Sequence, residues 1–447
     1  MPENYFLLLI LILAIAAIVA GTSRFKMHPF LVLLAASYFI AISAGMPAGK
    51  IAGTISSGFG NLMSGIGMVI VLGTIIGTVL EKSGAAIKLA EVVIRVIGPK
   101  YPALAMSIIG YIVSIPVFCD SAYIILSSLK KSLARQTGKP PITLSIALAT
   151  GLYATHTFVP PTPGPIAAAG NLCLDNQLGT VILFGLMIGA VAMLAGYWWS
   201  LRTAGMQVSG PAEEDEEAPV IGLKLPSAWK AALPIAIPIV LIAIRSIAML
   251  PGKPFGEGSL YQLIDFAGAP LNALLAGFLC SLLLFPHFNK ETLSDWIGEA
   301  IKIAAPILLI TGAGGSFGAV LKETQIGDVL GSTLAQYKLG IFLPFIVAAI
   351  FKTAQGSSTV SLVATSALIA PLLVTLGLDS TYGAALAVMA TGAGAMTVSH
   401  ANDSYFWVVT QFSGMDVPTG YRAHTMATLI QGLTAMAATW VLSLIVL

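Results

Sequence analysis

Apolar residues along this chain come in long runs rather than in the three-and-four or alternating spacings of soluble helices and strands. Runs long enough to cross a hydrocarbon core of about 30 Å fall at 5–20, 29–45, 62–81, 178–201, 229–249, 269–286, 303–321 and 426–447. Each predicts a membrane-spanning helix. The first has no basic residues before it, only Glu3, and Arg24 and Lys26 follow it. With no A-x-A-like cleavage site either, it reads as a span entered from outside, not as a removed leader.

Between these runs the pattern changes. Residues 82–100 space Lys82, Glu91, Arg95 and Lys100 among apolar positions, as an amphipathic helix in the interface would, and 322–338 repeats this with Lys322, Glu323, Asp328 and Lys338. Each is followed by two short apolar arms, 101–118/121–134 and 339–351/358–376, joined by polar tips. Such arms predict re-entrant hairpins (about 101–134 and 339–376), which persist at membrane depth only when packed in protein or lining a cavity. Two further helices, about 141–174 and 380–413, are broken by THTFVPPTPGP at 155–165 and by SHANDS at 399–404. Four prolines in six positions bar a continuous helix in the first.

The two halves match at a constant offset. ATG at 149–151 recurs at 390–392, an offset of 390 − 149 = 241. The same offset pairs Gly73 with Gly314, Gly77 with Gly318, Ala154 with Ala395 and Asp175 with Asp416. Threading the spans makes the halves opposite in orientation. The expected fold is an all-α polytopic membrane protein of two inverted-topology repeats, 1–202 and 229–447, each with a hairpin and a broken helix. An acidic cytoplasmic linker at 203–228, centred on EEDEE, joins them. Inverted repeats place a transporter's site where discontinuous helices meet near the midplane.

Composition sharpens this picture. Of 447 residues, 57% are hydrophobic and 9% charged, and the mean hydropathy of +0.90 fits solvation by lipid. The net charge of +2 gives no footprint for nucleic acid. Three unpaired-looking cysteines exclude a disulfide framework and a thiolate zinc site. The threading puts sixteen of 22 basic residues, Lys130, Lys131, Arg135 and Lys139 among them, on the cytoplasmic side. Five fall outside: Lys50, Arg245, Lys253, Lys322 and Lys338.

Three ionisable residues are left at membrane depth: Asp120, Lys352 and Asp403. Charge there is costly, so each is a functional candidate. Lys352 either holds a substrate carboxylate or neutralises an aspartate. An aspartate without a cation at low dielectric takes up a proton readily, which makes Asp403, beside His400, the first choice for ion coupling and Asp120 the second. Sodium held near Asp120 is the competing role. Hydroxyls at the tips and breaks, with half-helix N-termini, suit an anion: Ser121 at the first tip, Gln355, Gly356, Ser357, Ser358 and Thr359 at the second. Thr155, His156, Thr157 and Thr162 in the first break join them, as do Ser399, His400 and Asn402 in the second.

With TH-x-F-x-PP-x-PGP at 155–165, QGSSTVS at 355–361 and SH-x-ND-x-x-FW at 399–407, the chain resembles the gluconate:proton symporter (GntP) family of the wider ion-transporter superfamily. The resemblance spans essentially the whole chain. It implies proton-coupled uptake of gluconate, related sugar acids or glycerate, with one branch handling D-serine. For the superfamily it implies an inner-membrane homodimer in which a transport region moves past a scaffold, elevator fashion. Family members usually carry His where this chain has Thr162, and often Glu in the tip that reads CDSAY here, which leaves the hydroxy-acid open. The reading is therefore a proton symporter for a small hydroxy-carboxylate, with no cofactor or metal. Sodium coupling on the same fold is the alternative, and an anion channel a further one. An enzyme is not indicated: no H-E-x-x-H occurs, and no activated nucleophile with an oxyanion hole can be drawn from Ser399, His400 and Asp403.

Overall fold

The computed structural model of the chain describes residues 2–98, 100–206, 225–249, 254–324 and 339–447. The acidic stretch 209–220, Lys224, Lys253 and residues 325–338 of the second amphipathic segment lie outside the described residues. The first half runs α1 (Pro2–Ser23), α2 (Pro29–Ser43), α3 (Ala48–Lys82), α4 (Ala85–Ile97), α5 (Pro102–Val113), α6 (Cys119–Thr137), α7 (Pro141–His156), α8 (Pro163–Asn171) and α9 (Leu178–Arg202). The second runs α10 (Ala228–Ala248), α11 (Ser259–Gly268), α12 (Pro270–Ser281), α13 (Trp296–Glu323), α14 (Phe342–Gln355), α15 (Ser358–Ile369), α16 (Thr381–Met396), α17 (Ser404–Gln411) and α18 (Met426–Val446).

Proline and glycine set many of these boundaries. Helices α2, α5, α7, α8 and α12 each begin on a proline, whose missing N–H is an orphan at that position in any helix. Gly138 ends α6 with φ +65°, in the left-handed conformation that closes a helix. The segments read as hairpins fall on the helix pairs α5–α6 and α14–α15, and those read as broken helices on α7–α8 and α16–α17. Helix α4 occupies the expected amphipathic segment, with Lys88 bridging Glu91 at 2.9 Å.

Five helical stretches among the described residues are long and apolar enough to cross a membrane, and a bent pair makes a sixth. That pair corrects one expectation. The run at 269–286 is not a span by itself: α12 is long enough only together with α11, which meets it at 68° where the run begins. Ala269, which precedes Pro270, is held extended (φ −56°, ψ 132°), away from the helical region. A second correction concerns 62–81, where α3 starts well earlier, at Ala48. In the added stretch 48–61, Gly58 is the glycine that packs closely. A methyl group at Gly58 would stand 2.7 Å from the Gly315 carbonyl oxygen, so α3 and α13 cross nearly backbone to backbone.

The order of helices recurs at the sequence offset. Helices α3 and α13 end 323 − 82 = 241 residues apart, and α8 and α17 start 404 − 163 = 241 apart. Packing recurs too. Helix α5 lies on α7 and α7 on α9, as α14 lies on α16 and α16 on α18. Across the halves α3 packs on α13, α9 on α18, α15 on α8, and α6 on α17. Each hairpin therefore leans on the other half's broken helix, which brings the polar tips and breaks together.

Candidate functional site

The second hairpin turns at Gly356, whose φ of +92° suits glycine, and any side chain there would strike the Asn402 backbone. The tip thus rests directly on the break between α16 and α17. Lys352, on the last turn of α14, is fully buried. Its Nζ donates to Asp403 Oδ2 at 2.5 Å and to the Gly356 carbonyl. Asp403 caps α17, its Oδ1 accepting from the Tyr405 N–H at 3.1 Å. Ser399 Oγ donates to the same Oδ2 at 2.5 Å. Two more bonds tie break to tip: His400 Nε2 and Asn402 Nδ2 both lie on the Thr353 carbonyl, at 2.9 and 2.8 Å.

Of the two roles open to Lys352, the structure shows the ion pair with Asp403. Side-chain exposures of 1% and 6% put the pair out of water. Removing one partner of such a pair typically costs about 3–5 kcal/mol, because the other charge is stranded. Asp120, on the first turn of α6, joins from the first hairpin: its Oδ2 accepts from Ser404 Oγ at 3.4 Å, and its buried Oδ1 has no partner. Ser121 follows it on the same turn.

The remaining expected residues are placed differently. Gln355 and Ser357 bond each other, with Gln355 Nε2 on the Ser357 carbonyl at 2.5 Å and the Ser357 N–H on Gln355 Oε1 at 3.0 Å. Ser357 also caps α15 through the Val360 N–H at 3.3 Å. Ser358 is buried, and Thr359 packs beside Gly164 at the start of α8, so the second tip touches both breaks. In the first break the threonine hydroxyls are spent on backbone: Thr155 on Tyr111 (2.9 Å), Thr157 on Tyr153 (3.2 Å) and Thr162 on Val159 (2.6 Å). His156 is buried and stacked on Tyr153, with Nδ1 unpartnered. Asp416 is a helix cap, and its hydrogen bonds from Thr419 hold its carboxyl below the usual range.

Three parts of this region escape the sequence reading. His424, fully buried, sets Nε2 3.2 Å from Ser399 Oγ, and Thr425 and Thr428 bond the Ser399 backbone. They lie on and just after a π-turn at Tyr421–Thr425, which no apolar spacing announces. Tyr153 and Tyr405 stack at 5.1 Å beneath the ion pair, with Lys352 Nζ 5.7 Å from the Tyr153 ring centre. Third, Lys130 is only 2% exposed and donates to the Phe412 carbonyl at 3.0 Å and Ser413 Oγ at 3.1 Å. Lys130, read from the sequence as a cytoplasmic charge, is thus buried inside the protein as well. Arg245 is also buried and paired with Asp265 at 2.8 Å. Among the described residues no group of three or more His, Cys, Asp or Glu could hold a metal.

This arrangement, with polar residues gathered at a hairpin tip and two helix breaks, suits a small polar solute crossing a bilayer. Comparison with known proteins agrees. The model of the GntP family of permeases matches residues 6–445. The chain is 30% identical to a gluconate permease of Pseudomonas aeruginosa over 461 residues, covering 100% of this chain and 99% of that one. It is 33% identical to the D-serine transporter DsdX of Escherichia coli K12, covering 98% of each. An uncharacterized permease of Haemophilus influenzae is 35% identical over 91% of this chain and 86% of its own length. The YdaH transporter of Alcanivorax borkumensis shares the fold, with a TM-score of 0.66 at 16% identity, over 93% of this chain and 98% of that one. These relatives are permeases and transporters, not enzymes. With its apolar helices, interlocked hairpins and polar breaks, the chain is a multi-pass membrane protein belonging to the GntP family of permeases.

Proposed function

We propose that the protein imports gluconate or a related small hydroxy-carboxylate across the inner membrane together with a proton. The observation that carries this reading is the buried Lys352–Asp403 pair at the contact between tip and break. When Asp403 takes a proton, its hold on Lys352 weakens and the ammonium turns to the substrate carboxylate. The site is neutral in both states: ammonium with carboxylate before, ammonium with the bound anion and a protonated Asp403 after. Neither state buries an uncompensated charge, so proton and anion travel together. The start of α15 and its serines add N–H and hydroxyl donors to the carboxylate, and the unpartnered Oδ1 of Asn402 accepts from a substrate hydroxyl. Asp120, with its own unpartnered oxygen, is the second coupling group; a sodium ion held there is the alternative. Gluconate and D-serine, named for two relatives, share a carboxylate flanked by hydrogen-bonding groups, which is the chemistry this site offers.

In the same reading the halves are inverted-topology repeats. The tips and breaks form a transport region that slides past a scaffold containing α3 and α13, the N-terminus is external, and the protein works as a homodimer. The recurrence of helix order at 241 residues supports the repeat. Uptake by proteoliposomes of C3–C6 hydroxy-acids and D-serine, under imposed proton or sodium gradients, tests it. Accumulation driven by a proton gradient and abolished by an uncoupler is expected; accumulation driven by sodium alone points to the alternative, and flux that only equilibrates to a channel.

A further inference from the structure

A second site lies away from the ion pair. Helices α6 and α7 and the end of α17 enclose a cavity of about 570 Å³, within the size range of small-molecule pockets. Four of its lining residues are cationic, Lys130, Lys131, Arg135 and Lys139, and none is acidic. Lys130 is the informative one. Its ammonium is buried, yet its donors meet only neutral oxygens: the Phe412 carbonyl, Ser413 Oγ and, at 3.4 Å, the Tyr123 hydroxyl. Among the described residues no carboxylate forms an ion pair with it. Asp416, two residues past Gly414, is exposed and spent on Thr419. A buried cation without a counter-charge is costly, and here it sits beside open volume walled by three more cations.

The repeat supplies a control. A cavity of about 790 Å³ occupies the matching place in the other half: Gly170 lines it as Gln411 lines the first (411 − 170 = 241), and Ser380 as Lys139 does (380 − 139 = 241). Among the described residues its charged lining is one cation and one anion, Lys322 and Asp379, and the column of Lys130 holds Pro371. Among the described lining residues, an excess of cations over anions is therefore particular to one mouth. The sequence reading makes that mouth cytoplasmic.

We infer that the Lys130 cavity is a second binding site, for a small carboxylate, which serves as a stopping point for the transported anion between the ion pair and bulk water. The choice of carboxylate rests on the transport reading; the preference for anions does not. Tyr123 stands between the two sites: its hydroxyl bonds Ser413 at 2.6 Å, and its ring meets Tyr405 edge-on at 6.2 Å. An anion on Lys130 competes with Ser413 and Phe412 for the ammonium and so loosens the tie between α6 and the end of α17.

A thiol placed on the cavity wall tests this without requiring transport. Gln411→Cys is made with Cys173→Ser and Cys280→Ser, leaving only the buried Cys119. The full-length protein in nanodiscs is labelled with negatively charged sulfonatoethyl or positively charged trimethylammonioethyl methanethiosulfonate. The anionic reagent is expected to react about tenfold faster than the cationic one, after correction for their rates with a free thiol. Lys131→Gln with Lys139→Gln, both on the wall and away from the packed core, should remove most of that preference, and millimolar gluconate should slow the anionic reagent. Equal corrected rates overturn the site. So does slowing by phosphatidylglycerol in the disc with no effect of gluconate, which would make the occupant a lipid headgroup. If gluconate protects the thiol but is never accumulated by proteoliposomes, the site stands and the transport reading falls.

Discussion

Helices α3 and α13 occupy the same repeat column, but their paired glycines touch different things. Gly73 lies against Pro161 in the first break, where a methyl group would stand 2.8 Å from the carbonyl oxygen, and Gly77 lies against Pro116 beside the first tip. Exact symmetry would set Gly314 against Asn402 and Gly318 against Ser357. Instead Gly314 meets Val363 in the middle of α15, and Gly318 meets Ala367 in its last turn. Along α15 the difference between Ser357 and Ala367 is ten residues, or about 15 Å at the helical rise. One long helix sits beside its hairpin tip and the other well past it. In the transport proposal this asymmetry is the stroke: exchanging the contacts of the two halves describes the opposite-facing state, with Gly73 and Gly77 beside Ala122 and Leu126.

The comparison can be broken first at the ion pair, which belongs to the second half alone. Lys352→Met should lower stability by about 3–5 kcal/mol by stranding Asp403 and abolish uptake. Adding Asp403→Asn should recover most of the stability and none of the uptake, in denaturation and flux measurements on the same preparations. Next are the glycines. Gly77→Ala overpacks the contact seen here and Gly318→Ala the one expected after the stroke, each by about 1–3 kcal/mol. The two variants should therefore favour opposite states, read as opposite changes in the accessibility of a Gln411→Cys thiol; matching changes would contradict the exchange of contacts. Ser399→Ala removes a charge-assisted bond to Asp403, worth about 1.5–3 kcal/mol, and should shift the pH profile of uptake more than it shifts substrate affinity. Smallest is Lys88→Ala, whose bridge to Glu91 is partly exposed; its effect on stability should stay below about 1 kcal/mol.

How much of this the sequence carried follows from what each element depends on. The hairpins and breaks were legible because proline, glycine and polar residues punctuate long apolar runs, as at Pro102, Pro163 and Gly356. The start of α3 was not, since the glycine- and serine-rich AGKIAGTISSGFGN has no long apolar run, and of its glycines only Gly58 meets α13. The helix before 269–286 was not seen because Gln262 and Asp265 interrupt the apolar pattern of 259–268. In the site, Asp120, Lys352 and Asp403 stood out as charge at membrane depth, and their neighbours by position. His424 and Lys130 were missed for opposite reasons: one is a single histidine at the head of an apolar span, the other lies among basic residues that topology alone would explain.

The proton and anion fluxes of the Asp403→Asn protein bear most directly on the central claim. In proteoliposomes, the unsubstituted protein should take up one proton with each gluconate-class monoanion. Asp403→Asn should exchange labelled substrate across the membrane while moving no protons and building no gradient. Proton uptake that continues in step with substrate in Asp403→Asn would contradict the account.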